Sequence, residues 1–175
     1  SHRGQPHEIA TDLSVFTRVG VERVMRYAFE LAKSRTRKLL TVVTKSNAQR
    51  YGMVMWDEVA NEVAQDFPDV TWDRVLVDAM TVRMTMKPAT LDTIVATNLH
   101  ADILSDLAAA LAGSIGVAPT ANLNPERTSP SMFEPIHGSA FDITGKGIAN
   151  PVGTFWSASM MLDHIGETTV AARLM

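Results

Sequence analysis

Lys38-Leu-Leu-Thr-Val-Val-Thr44 is an unbroken run of aliphatic and β-branched residues once past its first position, with Arg37 before it and Lys45 directly after it. A strand with one wet face would alternate apolar with polar residues. A run without alternation reads as a strand buried on both faces, the kind that lies inside a parallel sheet. Parallel neighbours need long crossovers, usually helical, and helical periodicity stands on either side of this run. Upstream, Val21, Val24, Met25, Ala28, Leu31 and Ala32 recur at helical spacing and predict a helix over 20–34. Downstream, residues 51–66 return to that period and stop before Pro68. Two further strand candidates lie over 75–77 and 91–96, separated by a helical stretch over 79–86 that ends before Pro88. An Ala/Leu helix over 101–112 is stopped by Gly113, and a last helix over 152–165 lies between Pro151 and Gly166. Residues 1–13 read as a polar arm and 14–17 as a short extended piece. Strands alternating with helices predict an α/β domain, a layered sheet with flanking helices.

Composition narrows the function classes. The 175 residues are 46% hydrophobic and 20% charged, a globular balance that excludes wholesale disorder. Lys+Arg is 16 against Asp+Glu 19, a net charge of −3, and the one basic run is residues 33–38. That argues against a nucleic-acid partner. The absence of cysteine excludes disulfide scaffolds, thiolate zinc sites and cysteine nucleophiles. No apolar stretch approaches a membrane span, and the N-terminus has no signal-peptide h-region, so the expectation is a cytoplasmic protein with no membrane partner.

Three groups of residues could carry chemistry. Asp102 and Asp106, in ADILSD, stand four apart on one helix face, and Asp78 comes just after a strand candidate. Paired carboxylates repel unless a cation sits between them, and oxygen donors suit Mg²⁺ or Mn²⁺; an ordinary solvated helix face is the competing reading. Lys45 ends the buried strand, where ligands bind in α/β sheets. It is a candidate general base, or simply a lysine reaching solvent. The stretch 134–151, EPIHGSAFDITGKGIANP, is the most informative. Its glycines, Gly138 among them, permit close backbone approach to a ligand. His137 offers a stacking ring, Asp142 an acceptor pair for ribose hydroxyls and Asn150 an amide for a base edge. An elaborate structural loop is the alternative. The five prolines across 116–151 predict mostly ordered loop, and loops of that length in compact domains are usually functional. No GxGxxG occurs, so this is not the common dinucleotide fingerprint. Met80, Met84 and Met86 read as core filler.

NLHADILSD (98–106) and NLNPERTSPSMFEPIHGSAFDITGKGIANP (122–151), in that order, resemble the metal-dependent β-decarboxylating dehydrogenases of the isocitrate/isopropylmalate dehydrogenase family. SVFTRVGVERVMRYAFELAKSR and NPERTSPSMFEPIHGSA are most similar to the branch that acts on tartrate and D-malate. The resemblance implies the two-domain fold of that family, distinct from a classical Rossmann fold. Residues 14–110 would belong to the small, dimer-forming domain and 111–175 to part of the large domain. It implies an oxidoreductase acting on a 2-hydroxy dicarboxylate with NAD and Mg²⁺ or Mn²⁺. Position by position, the metal carboxylates fall on Asp78, Asp102 and Asp106 and the catalytic lysine on Lys45. Glu134, His137, Gly138, Ser139, Ala140, Asp142 and Asn150 fall on the adenosine-binding loop, where Asp142 would repel an NADP phosphate. In the family the lysine and first aspartate reach into the partner's site, which implies a homodimer. The sequence departs at His100-Ala101, where relatives carry Phe-Gly, and after Asn47. It matches only the middle and C-terminal portions of a family subunit. The substrate-binding arginines and a catalytic tyrosine belong to the preceding half, so this chain alone is expected to be inactive. A non-catalytic dimerisation or nucleotide-binding module is the alternative, and 3-isopropylmalate the alternative substrate.

Overall fold

The structure, a computed structural model, describes residues 1–175. The chain divides into two compact units, Ser1–Arg83 with Lys87–Thr97, and Met84–Met86 with Asn98–Met175. The division falls at Thr97, ahead of the Ala/Leu helix, whereas the sequence places it near residue 110.

In the first unit, helix α1 (Arg18–Ser34) starts where extended Thr17 turns its hydroxyl back to accept the N–H of Gly20 at 3.3 Å, satisfying one of the helix's orphan donors. Its stripe of Val21, Met25, Ala28, Phe29 and Ala32 is buried. Strand β1 (Leu39–Thr44) is central in a parallel sheet of order β2-β1-β3, between β2 (Thr71–Leu76) and β3 (Thr93–Val95). Helix α2 (Gly52–Ala64) makes the crossover from β1 to β2, and α3 (Val77–Met86) leaves β2 without a loop. Every β1 residue after Leu39 is buried, the result expected of a strand covered on both faces. Leu40 and Val42 join Val95 and the apolar faces of α1 and α2 in one core, centred on Phe29, which stacks on Phe67 at 5.3 Å and meets Trp72 edge-on at 6.1 Å.

Three expectations change here. β2 begins at Thr71, not near residue 75, because the ladder from Leu39↔Thr71 to Thr44↔Leu76 pairs even its polar first half. Residues 14–17 form no strand; Phe16 packs on the backbone of Gly52, where an added β-carbon would come within 2.5 Å of its ring. The basic run stays exposed, and two of its arginines are tied to the segment ahead of β3. Arg35 pairs with the buried carboxylate of Asp92 at 2.7 Å, and Arg37 donates to the carbonyls of Leu91 (2.7 Å) and Ala89 (2.9 Å). Of the three methionines, Met80 and Met84 are buried, whereas Met86 is exposed at the helix end.

In the second unit, helix α4 (Asn98–Leu111) continues through a Ser114 N–H to Ala109 carbonyl bond into the turn Ile115–Val117, on which it packs. That continuity is why α4 belongs to the second unit and not to the first. Residues 116–151, expected to be mostly loop, contain an antiparallel pair, β4 (Pro119–Asn122) and β5 (Met132–Pro135), in register Thr120↔Glu134. Helix α5 (Val152–His164) lies across both strands. A further helix, α6 (Thr168–Leu174), lies beyond the one expected to be last; buried Ser159 donates to the Ala171 carbonyl at 3.0 Å and ties it to α5. Gly153 allows α5 to sit this close: a β-carbon there would meet the Gly116 carbonyl at 3.0 Å and the Ala118 carbonyl and Pro135 at 3.2 Å. Backbone oxygens do not swing aside, so Gly153→Ala is expected to destabilise the unit by about 1–3 kcal/mol, read as a lowered urea midpoint. An unchanged midpoint would show that the approach is not tight.

Candidate active site

Parallel pairing of Thr44 with Leu76 brings the C-terminal ends of β1 and β2 side by side, so the next residues along each chain, Lys45 and Val77-Asp78, are neighbours by register. Asp78 lies in the first turn of α3, where the helix's N–H groups favour a negative charge. Lys45 Nζ donates to Asp78 Oδ1 at 2.7 Å; the lysine is half-buried and the aspartate exposed. This hydrogen bond, helped by the backbone N–H groups of Asp78 and Ala79, holds the Asp78 carboxyl below the usual carboxylate range. The pair sits where α/β sheets present ligand-binding groups.

The second unit carries the other carboxylates. Asp102 and Asp106 are one turn apart on α4, both exposed, while Leu104 and Ala109 turn inward. Carboxylates at this spacing repel each other weakly unless a cation stands between them. Their hard oxygen donors fit a divalent cation. No group of three or more His, Asp or Glu side chains that could hold a metal gathers in the chain.

Glu134, exposed on β5 opposite Thr120, stands just ahead of the loop that follows the strand. His137 Nδ1 lies 2.7 Å from the Gly138 carbonyl. Gly138 and Gly145 adopt φ of +65° and +76°, values that glycine reaches without a steric penalty. Ala140 also takes left-handed backbone, at φ +41°, an uncommon state for a residue with a β-carbon. It launches the turn Phe141–Ile143, which leaves Ser139, Phe141 and Asp142 exposed. Phe141 is 85% exposed; it is not among the residues singled out from the sequence, although a large apolar residue among turn-formers is a visible signal. Asn150 has a structural task as well. Its Oδ1 accepts the Val152 N–H at 3.0 Å and opens α5, leaving its amide N–H₂ as the free end.

Comparison with known proteins decides the family. The isocitrate/isopropylmalate dehydrogenase family model matches residues 1–175. The chain belongs to that family. It is 77% identical, over all 175 residues, to a probable tartrate dehydrogenase/decarboxylase of Agrobacterium vitis. Over 166 residues it is 54% identical to the decarboxylating D-malate dehydrogenase of Escherichia coli K12, and over 162 residues 49% identical to a tartrate dehydrogenase/decarboxylase of Pseudomonas putida. These alignments cover 100%, 95% and 92% of this chain but 49%, 46% and 44% of those proteins. The chain spans about half the length of the curated relatives it matches. Its fold superposes on the crystal structure of isocitrate dehydrogenase from Methylococcus capsulatus with a TM-score of 0.87 at 44% identity, over 92% of this chain and 47% of that one. The family match carries the fold class with it: the parallel sheet and flanking helices are those of this α/β family.

Proposed function

We propose that this chain supplies the proton-transfer and metal-holding residues, and the adenosine loop, of an NAD-dependent, decarboxylating dehydrogenase acting on tartrate or D-malate. The observation that carries the reading is the 2.7 Å Lys45–Asp78 pair at the sheet's C-terminal edge, in a chain that shares 77% of its residues with a probable tartrate dehydrogenase/decarboxylase. Asp102 and Asp106 would hold Mg²⁺ or Mn²⁺ from one subunit. Asp78 and Lys45 would complete the site of a second subunit. The metal, when bound, supplies Lewis-acid polarisation of the substrate hydroxyl and of the charge left at its carbonyl oxygen. Lys45, poised on Asp78, moves the proton at that oxygen. The NAD-loop residues Glu134, His137, Gly138, Ser139, Ala140, Asp142 and Asn150 bind and orient the adenosine end, with the exposed Asp142 carboxylate accepting ribose hydroxyls. Exposed Leu99, Ile103 and Leu111 on α4, and Phe155, Trp156 and Met161 on α5, are apolar area that a homodimer would cover. The test is NADH production by the full-length subunit with tartrate, D-malate and 3-isopropylmalate, each with NAD⁺ and Mn²⁺. Turnover of none of them would overturn the reading.

Two substitutions separate this site from bland surface. Asp102→Asn removes one ligand charge and one half of a repelling pair. It is expected to weaken Mn²⁺ binding in the full-length subunit by about 10-fold or more, with 1.4 kcal/mol per factor of ten. The metal-free protein should gain about 0.2–0.5 kcal/mol as α4 loses its i,i+4 repulsion. Calorimetry that finds the gain without the weakened binding would return Asp102 to an ordinary helix face. Asp142→Lys is expected to move the NAD⁺/NADP⁺ ratio of kcat/KM towards NADP⁺, since a cation there attracts the 2′-phosphate that a carboxylate repels. A ratio unmoved by the substitution would mean that this loop does not read the ribose.

A further inference from the structure

Register alone makes Lys45 and Asp78 neighbours, but the direction in which Asp78 points depends on the axis of α3. That helix has ten residues and a weak apolar stripe, too short to define its own axis without tertiary anchors. Arg83 supplies one. It lies one turn beyond Met80, half-buried, on the side of the helix that faces the sheet through this contact. Its Nη1 donates to Asp73 Oδ2 on β2. Asp73 Oδ1 accepts from the buried Thr41 hydroxyl on β1 at 2.8 Å. Through Nε and Nη2, the same guanidinium donates to the Thr90 hydroxyl and carbonyl, both at 3.0 Å, just ahead of β3. One planar, permanently charged group thereby ties α3 to both of the first two strands and to the entry of the third. Its fixed fork makes these bonds directional, as a lysine's would not be.

We propose that Arg83, with Asp73, Thr41 and Thr90, is a positioning network that fixes α3 on the sheet so that Asp78 meets Lys45. It acts through those two residues and touches no reacting atom; its catalytic consequence rests on the function proposed above, its structural one does not. Arg35 is the internal comparison. It follows α1 rather than lying on α3, and it makes another arginine–carboxylate bond, to Asp92 at 2.7 Å.

The test reads Lys45 itself. Reductive ¹³C-methylation of the full-length subunit labels lysine Nζ while keeping its charge, and the Lys45 signal is identified by its loss in Lys45→Met. Asp78→Asn is expected to shift that signal towards the position shared by free lysines. Arg83→Gln should reproduce the shift, Arg83→Lys should restore part of it, and Arg35→Gln should leave it in place. In turnover, Arg83→Gln is expected to lower kcat by about 10-fold or more with KM nearly constant, the pattern of a misplaced reacting group. A Lys45 signal unmoved by Arg83→Gln, or moved as far by Arg35→Gln, overturns the network. Should Arg83→Gln fail to fold, Thr90→Ala removes a single anchor and is judged on the same signal. Failure of the functional reading looks different: Lys45→Met would leave turnover intact while the spectroscopic pattern stood.

Discussion

Lys45→Met in the full-length subunit is expected to lower kcat by about 10²–10⁴-fold, the range that a positioned acid–base group contributes, with almost no loss of stability. Methionine keeps the apolar stem and deletes the ammonium. Asp78 loses its partner but is 67% exposed, so water takes over its solvation and no buried charge is stranded. Exposed pairs of this kind contribute little, because solvent screens them. The small stabilisation that the pair does give has a definite sign. Asp78's pKa is lowered by Lys45 in the folded chain, so the contribution is present above the unfolded-state pKa and fades as pH falls through the folded one. Lys45→Met therefore removes part of the acid sensitivity of the native state. Steady-state kinetics beside urea unfolding separates the two effects. A kcat within two-fold of the parent would remove Lys45 from the chemistry.

Phe29→Ala is expected to have the largest effect on folding, about 3–5 kcal/mol. The ring is fully buried where α1 crosses the sheet, stacked on Phe67 and edge-on to Trp72. Three aromatic rings from α1, the turn after α2 and the edge strand β2 meet there, and the rigid sheet beneath them limits collapse into the space left behind. A loss of that size is a large share of the 5–15 kcal/mol typical of whole domains. Val19→Ala, on the exposed side of the same helix, is the control and should stay within about 0.5 kcal/mol. Urea midpoints at constant m-value report both. Equal midpoints for the two variants would show that the core is not centred on Phe29.

Elements with a strong local pattern were legible. LLTVVT became the central strand because six residues without polar alternation have no wet face to offer. Helices α1, α2, α4 and α5 track their apolar spacing to within a few residues of the expected ends. The candidate residues were legible too, though by different routes. Lys45, Asp78 and the i,i+4 pair Asp102/Asp106 could be singled out by position and His137, Gly138, Asp142 and Asn150 by residue type, whereas Glu134, Ser139 and Ala140 were added only through resemblance to a family.

Pairing across distance set the elements that escaped. β2 opens with Thr71-Trp72-Asp73-Arg74, poor strand material by itself, and becomes a strand because β1's backbone groups need partners. β4 and β5 have proline at their outer ends, at Pro119 and Pro135, and reveal themselves only once they pair and α5 covers them. Seven-residue α6 is below the length at which helix propensity sustains a helix and is held by the Ser159–Ala171 bond.

The sequence by itself determined the α/β class and the central strand, and singled out side chains that are proposed to carry chemistry, because local periodicity and residue type encode those directly. Tertiary structure alone decided that Lys45 meets Asp78, 33 positions away, that Arg83 braces the helix that carries Asp78 and that the chain divides at Thr97 rather than near residue 110. Parallel register and helix axis settle such contacts, and both are properties of the packed sheet that no window of neighbouring residues contains.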